Sequence, residues 1–227
     1  PLDIIDNVNQ IKQEKSQSDF EFVIIHGVTE YYDLPSPRIK KQYQFYADNE
    51  ADLIVSNHTH CISGYEKYNN VPIYYGIGNF LFTHDSPFKA WYQGIVLEIE
   101  IDENKTLNTK IHFTQQQEKT FELSLIKEEK KQIILDKFQQ YCSIIVNEEL
   151  LKQKWEKYIE DNQILYLKYI SPVTFIKNKY IRAIFNKLNL TTKFLNRKGL
   201  ALYLNLIRCE SHFDLTKSSI EKYISKK

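Results

Sequence analysis

The chain contains 227 residues, of which 42% are hydrophobic and 26% are charged, and its formal net charge is +1. This length provides for one large domain or for an ordinary domain with an appendage, and the composition is typical of a globular protein. No stretch approaches the roughly 18 uninterrupted apolar residues of a membrane-spanning helix, so we expect no transmembrane segment.

The two halves of the chain differ in charge. Residues 1–120 carry 10 basic and 17 acidic side chains, whereas residues 121–227 carry 20 basic and 12 acidic ones. Between Asp161 and Glu210 there is no acid but there are nine bases: Lys168, Lys177, Lys179, Arg182, Lys187, Lys193, Arg197, Lys198 and Arg208. Such a segment would attract phosphate, an anionic polymer or a membrane surface, although a solvated face or a face against an acidic neighbour explains it equally well. No recognition motif accompanies the charge, so we expect no nucleic-acid partner.

The first sixty residues predict a strand, helix and strand in succession. Apolar residues at helical spacing predict an amphipathic helix over 2–15, and a short apolar run predicts a strand over 20–25. A second helix is expected over 38–49 and a second strand over 53–56. This order makes a βαβ unit, whose parallel strands end at one edge of the sheet.

Further along the chain the pattern continues as strands and then as helices. A third short strand is expected over 73–75, and alternating apolar residues over 94–101 and 108–113 predict a hairpin. From about residue 127 onward the spacing is helical. We therefore place a domain boundary near 120–126. Within the helical region, Ser171-Pro172 and Gly199 are expected to interrupt the helices.

Three histidines follow the first two predicted strands. His26 ends one apolar run, and His58 and His60 follow the next. Side chains alternate along a strand, so His58 and His60 are expected to point the same way, and parallel strands would bring all three imidazoles together. A lone histidine is more often an ordinary surface or core residue, but imidazole is the commonest ligand of catalytic metals and an H-x-H pair strengthens that reading. We therefore predict part of a metal site.

The three cysteines predict no such site. Cys61, Cys142 and Cys209 are too few, odd in number and too scattered for a disulfide framework or a cysteine-based zinc site. We expect reduced thiols at all three positions.

Five blocks around the histidines match a known pattern. They read HGVTEYY at 26–32, PSPR at 35–38, ADLIVSNHTHC at 51–61, SGYE at 63–66 and VPIYYGIGNF at 71–80. In order and spacing they resemble the bacterial CapA family of capsule and poly-γ-glutamate synthesis proteins, a branch of the calcineurin-like metallophosphoesterases. The resemblance implies an α/β fold over 1–120, with a metallophosphoesterase-like sheet, flanking helices and an incomplete N-terminal half. Residues 121–227 would form a basic helical appendage.

The resemblance also implies a metal centre. His26, His58 and His60 match histidines that bind up to two divalent ions, with Mn, Fe and Zn as candidates. The remaining ligands would come from an upstream Gly-Asp block and an upstream Asn or Glu block, and neither block occurs before His26. Since the chain also begins at Pro1 and contains no Met, we expect the upstream half to lie outside it.

Three polar residues within the matched blocks are candidates for supporting roles. Glu30 and Glu66 are expected to orient a histidine or to act as general acid or base, with a loop cap for Glu30 and a salt bridge for Glu66 as alternatives. Asn79 is a candidate for hydrogen bonding to substrate, or for holding the turn between Gly78 and Phe80.

The function implied by the resemblance is a part in the biosynthesis of a capsule or poly-γ-glutamate type surface polymer, with a metal-dependent phosphoesterase activity in the complete form. The expected partner is a phosphate ester or an anionic surface-polymer precursor. The alternative is a catalytically inactive binding or scaffold component of capsule assembly, with the basic region contacting a membrane surface or polymer. The incomplete ligand set favours the alternative. A cytoplasmic place and one at the periphery of the bacterial membrane both stay open.

Overall fold

The computed structural model describes residues 3–208 and residues 212, 216, 217, 220, 224 and 225. They belong to two compact units, Pro1–Glu156 and Lys157–Lys227. The first unit contains helices and two sheets, so the predicted α/β class is confirmed.

The first unit contains the predicted βαβ unit. Helix α1 (Ile4–Lys15) precedes the βαβ unit. The unit itself consists of strand β1 (Phe22–His26), helix α2 (Pro37–Ala47) and strand β2 (Leu53–Asn57). Polar side chains begin both helices: the Asp3 carboxylate accepts from two backbone N–H groups of α1, and the Ser36 hydroxyl accepts from one in α2. In α2 the next residue is a proline, which suits the first helical position.

Two short strands complete a four-stranded sheet. Strand β3 (Tyr65–Tyr68) and strand β4 (Val71–Tyr74) give the order β1-β2-β4-β3. The β1/β2 pair is parallel, as predicted for the βαβ unit, and the β2/β4 pair is parallel as well. Strand β3 pairs antiparallel with β4 and was not expected. The central strands are fully buried at Ile54 and Ile73, which is why their sequences are continuously apolar.

A second, antiparallel sheet follows. It consists of β5 (Gln93–Ile101), β6 (Leu107–Gln116) and β7 (Leu123–Leu125) in sequential order. The predicted hairpin is confirmed, and β7 extends it by one strand. Isolated bridges at Ile62/Ile77 and Gly78/Gly94 connect the segments between the sheets. The core beside this sheet is a cluster of five buried residues: Ile62, Ile95, Phe113, Ile126 and Phe138.

Helix α3 (Glu128–Val146) belongs to this first unit, together with the start of α4 (Glu148–Tyr169). The compact unit thus ends beyond the expected boundary at 120–126, because α3 packs on β3 and buries Ile145 completely. The contact is close at Gly64, where an added Cβ would lie 2.7 Å from the backbone nitrogen of Cys142. How far the family-type domain extends stays a prediction.

The second unit contains short helices. After α4 come a 3₁₀ turn at Pro172–Phe175, helix α5 (Lys179–Lys187), a second 3₁₀ turn at Thr191–Phe194 and helix α6 (Arg197–Arg208). The structure shows the break at Ser171, but the expected break at Gly199 is wrong. Gly199 lies inside α6, where its N–H donates to the Asn196 side chain at 2.8 Å. Among the described residues, no helix combines the length and apolar character needed to cross a membrane. Cys209 lies outside the described residues.

The contact at Gly64 generates a stability prediction. We expect Gly64→Ala to lower the free energy of unfolding of the first unit by about 1–3 kcal/mol, because the new methyl group meets helix backbone that cannot move without shifting α3. Urea denaturation followed by circular dichroism measures this. Gly199→Ala is the matched control, since its Cβ would meet nothing closer than 3.5 Å. Equal unfolding midpoints for the two variants would contradict the packing described.

Candidate metal centre

The parallel ladder between β1 and β2 continues into the loops that follow these strands. His26 is in register with Asn57, and the Gly27 N–H donates to the Asn57 carbonyl at 3.1 Å. Further on, the Tyr31 N–H donates to the Thr59 carbonyl at 2.8 Å. These bonds hold the loop after β1 against the loop after β2, at one edge of the sheet.

The three predicted histidines meet at this edge. The ring centroids of His26 and His58 lie 4.6 Å apart, and those of His58 and His60 lie 5.8 Å apart. Their arrangement differs from the expected one, however. Strand β2 ends at Asn57, so His58 and His60 belong to the loop and strand alternation does not orient them. The expectation based on alternation is therefore wrong, and loop conformation brings the rings together.

The backbone of these loops is unusual. Val28, Tyr31, His58 and His60 all have positive φ angles, of 130°, 57°, 120° and 56°. Such values are uncommon for residues other than glycine, and for a β-branched residue such as Val28 they are a genuine outlier. Strained residues of this kind persist only when the surrounding structure holds them, and they concentrate at functional sites.

The side chains able to bind a metal at this edge are Glu30, His58 and His60. Each offers one ligand atom, and these atoms all lie within 4.8 Å of one another. The Glu30 Oε1 atom is 3.4 Å from the His58 Nε2 atom. Two imidazole nitrogens and one carboxylate oxygen are a donor set that suits a divalent transition metal. Glu30, expected in a supporting role, is thus placed with the potential ligands, while His26 contacts His58 from outside this group.

Asn79 fixes the orientation of His60. The Asn79 side-chain N–H group donates to the Trp91 carbonyl at 2.9 Å, which leaves its oxygen facing the His60 Nδ1 atom at 3.0 Å. An oxygen can only accept, so Nδ1 of His60 carries the proton and Nε2 keeps its lone pair. This is how a metal-binding imidazole is usually oriented. Both polar groups of this buried amide are engaged, so the expected substrate contact stays a prediction.

The second sheet holds Asn79 in place. The Asn79 N–H donates to the Gln93 carbonyl at 3.3 Å, at the start of β5. An added Cβ at Gly94 would lie only 2.1 Å from the Asn79 carbonyl oxygen, so this approach requires glycine. The orientation of His60 therefore depends on contact between the two sheets.

Glu66 lies in a different environment from the other candidates. It is buried on β3, where Tyr75 donates to its carboxylate at 2.6 Å and Gln44 donates at 3.0 Å. The Lys40 ammonium lies 3.6 Å away and also donates to the Ile145 carbonyl at 2.8 Å. These contacts correspond to the salt-bridge alternative. Glu66 is not part of the histidine group, and a catalytic role for it gains no support from this arrangement.

An aromatic wall surrounds His60 and was not expected from the sequence. The rings of Tyr31, Phe82 and Trp91 lie 5.7, 5.4 and 4.5 Å from the His60 ring. Trp91 is 6% exposed, whereas Tyr31 is half exposed. The sequence does show many aromatic residues over 80–92. The predicted strands, however, do not indicate that this segment lies beside the histidines.

A cavity of about 120 Å³ opens next to His60. Its lining includes Tyr31, Phe88, Gln93 and, from α3, Lys137. Lys137 brings a positive charge to the lining of the cavity that also includes His60. No local sequence pattern indicates this contact, because α3 lies far along the chain from the histidines. The cavity can accommodate a small anionic group between aromatic walls and this ammonium.

Two other side chains that line the cavity, Cys61 and Tyr141, stay protonated at neutral pH. Burial raises the pKa of the Cys61 thiol to about 12, so it stays protonated at neutral pH and is no nucleophile. Burial, assisted by the bond that the Tyr141 hydroxyl donates to the Asp33 carboxylate, raises the pKa of Tyr141 well above its usual value. Tyr141 thus remains a donor to Asp33.

Comparisons with known proteins match the part of the chain that carries this site. The sequence profile of the family described as "Bacterial capsule synthesis protein PGA_cap" matches residues 3–84. The "PGA biosynthesis protein CapA" of Bacillus subtilis (strain 168) is 33% identical over 75 residues, which are 33% of this chain and 20% of that protein. The "Capsule biosynthesis protein CapA" of Bacillus anthracis is 35% identical over 69 residues, 30% of this chain and 17% of that protein.

The matched segment thus spans about a fifth of the length of these curated relatives. It includes β1, β2 and the loops that hold Glu30, His58 and His60, together with Asn79. Residues 3–84 are thus similar to the family of bacterial capsule synthesis proteins and to part of the two CapA relatives.

Proposed function

We propose that this chain takes part in the biosynthesis of a capsule or poly-γ-glutamate type surface polymer, and that its complete form is a metal-dependent phosphoesterase. The convergence of Glu30, His58 and His60 within 4.8 Å is the observation that carries the metal-dependent part. The names of the two CapA relatives support the biosynthetic part. The resemblance to metallophosphoesterases and the chemistry of the donor group support the phosphoesterase part.

Each residue of the centre has a defined task in this proposal. His60 presents Nε2 because Asn79 holds its Nδ1 proton, and Glu30 and His58 complete the ligand group from the two neighbouring loops. These side chains would hold a divalent ion, which would supply positive charge toward a phosphoryl oxygen. His26, packed against His58, limits the positions open to the His58 ring or contributes a further imidazole.

The cavity beside His60 gives the proposed substrate its second contact. Lys137 presents an ammonium group to an anionic substituent, while Tyr31 and Phe88, whose ring centroids are 5.0 Å apart, form an apolar wall. A phosphate ester placed with its phosphoryl group toward His60 would direct its remaining part along this wall. Lys137 is then a binding residue and does not take part in proton transfer.

The second candidate function is binding without turnover. Among the described residues, the potential ligand group contains three side chains, whereas a two-metal centre holds two ions about 3.5–4 Å apart and requires more ligands. With one ion, the same edge of the sheet could retain an anionic precursor during capsule assembly. Measurements of metal binding and of turnover, made separately, distinguish the two candidates.

The ligand group generates the first functional prediction. We expect Glu30→Gln and His58→Ala each to weaken Mn²⁺ or Zn²⁺ binding at least about tenfold in isothermal titration calorimetry, because each removes one of three donors. His112→Asn is the matched control, since His112 lies on the β5/β6 hairpin beside Glu98. Unchanged affinity in both ligand variants would refute the metal centre.

Turnover is measured on the same proteins with bis(p-nitrophenyl) phosphate. The phosphoesterase proposal expects metal-dependent hydrolysis by the full-length protein, lost in His58→Ala and kept in His112→Asn. Metal binding without hydrolysis by the full-length protein would favour the binding component.

Asn79 generates a second prediction, about positioning. We expect Asn79→Ala to weaken metal binding by about 10–100-fold, because His60 loses the acceptor that selects its tautomer. Asn79→Asp keeps an acceptor at this position and should lose less. The readout specific to positioning is the ¹⁵N spectrum of the His60 ring, which should show protonated Nδ1 in the original protein and mixed tautomers in Asn79→Ala. An unchanged tautomer would contradict the assigned role.

Lys137 generates a third prediction. With an anionic phosphate ester, we expect Lys137→Gln to raise KM about tenfold and to leave kcat nearly unchanged, because one charge-assisted contact of the bound substrate is lost. Lys131→Gln is the control on the same helix, since Lys131 pairs with Glu128 on the exposed surface. A change confined to kcat would place Lys137 in the reaction itself and not in binding.

A further inference from the structure

The second unit exposes apolar faces on two basic helices. Helix α5 presents Tyr180, Ile181, Ile184 and Leu188, the last at its C-terminal cap, at spacings that share one face. All four are exposed, and Ile184 is 56% exposed. The remaining large apolar residue, Phe185, packs against Phe194 with ring centroids 5.5 Å apart. Phe185 therefore holds α5 to its neighbour and leaves the other apolar side chains uncovered.

Helix α6 repeats this arrangement. Its exposed apolar residues are Leu202, Tyr203, Leu204 and Ile207, and Ile207 is 64% exposed. Its charged residues, Arg197, Lys198 and Arg208, share the other side of the helix. None of the residues of α5 or α6 is fully buried. Eight apolar side chains thus face outward on two short helices, which is unusual for a surface in contact with water alone.

The charge around these faces has one sign. The sequence contains no acid between Asp161 and Glu210, and nine bases stand there. Lysines and arginines flank both apolar faces, at Lys179, Arg182 and Lys187 on α5 and at the three positions on α6. A surface of this composition is complementary to one that is apolar inside and anionic at its boundary.

We propose that α5 and α6 bind the surface of an anionic lipid bilayer, with their apolar faces at the boundary between headgroups and acyl chains. Amphipathic helices with a basic polar face adopt this position, lying in the interface without crossing it. Basic side chains near the headgroups add attraction to anionic lipids. A soluble anionic polymer would engage the bases and leave the apolar faces in water, so the exposed apolar residues favour lipid. This inference does not depend on the proposed phosphoesterase activity.

The test is co-sedimentation of the full chain with vesicles. We expect binding to vesicles that mix phosphatidylglycerol with phosphatidylcholine to be at least about tenfold tighter than to phosphatidylcholine alone. The double variant Ile184→Asn with Ile207→Asn keeps every charge and should lose most of this binding. Ile133→Asn is the matched control, because Ile133 is an exposed isoleucine on α3 in the first unit.

A charge variant separates insertion of the apolar faces from electrostatic attraction alone. Replacement of Lys193, Arg197 and Lys198 by Gln should weaken vesicle binding and reduce its dependence on salt. If this variant loses binding while Ile184→Asn with Ile207→Asn binds vesicles as well as the original chain, the attraction is electrostatic alone and the proposed position of the apolar faces in the bilayer is overturned.

A reporter variant tests insertion without weakening the surface. In Ile207→Trp we expect the tryptophan emission to shift to shorter wavelength on adding anionic vesicles, beyond any shift of the original chain, because the indole enters an apolar environment. No additional shift would overturn the proposal, even if vesicles and protein sediment together.

Discussion

The parallel pairing of β1 with β2 is the interaction on which the candidate metal centre depends. Its register sets His26 opposite Asn57, and the same ladder continues through Gly27 into both loops. A shift of one residue would turn every side chain of β1 to the other face of the sheet and would separate these loops. The buried strand β2, flanked by β1 and β4, holds this register by packing. The donor group is therefore a product of sheet formation as well as of its own residues.

The second sheet determines the orientation of the His60 ring, which the first sheet does not determine. His60 has a positive φ in a loop, so the strand before it does not determine where its imidazole points. That direction comes from Asn79, which in turn is held by Trp91 and by the close approach of Gly94. The mixed first sheet and the antiparallel second sheet thus both contribute to the position and orientation of His60. Glu66 has a structural role away from the candidate metal centre. Its carboxylate on β3 forms a buried ion pair with Lys40 on α2 and so connects these two elements.

Local periodicity was enough to predict the βαβ unit and the hairpin, because each depends on patterns within a short stretch. It placed the three histidines after two parallel strands, but the loop conformation that brings their rings together could not be read from it. The ligand position of Glu30 was not predictable in this way, since it follows from a loop with left-handed residues such as Val28 and Tyr31. Strand β3 was not predicted because its four residues include glutamate and lysine and show no apolar pattern. Its pairing with β4 is what defines it as a strand. The contributions of Lys137 and Asn79 are contacts between distant segments, which no local pattern encodes.

The outer side of β1 has a consequence of its own. Among the described residues β1 pairs only with β2, and Ile24 on this strand is 80% exposed. An edge with unpaired backbone groups and apolar side chains readily accepts another strand, whether from a partner or from a second molecule. A strand added there would run directly past His26, the last residue of β1. Association at this edge would therefore change the surroundings of His26, whose ring packs against His58 in the candidate metal centre.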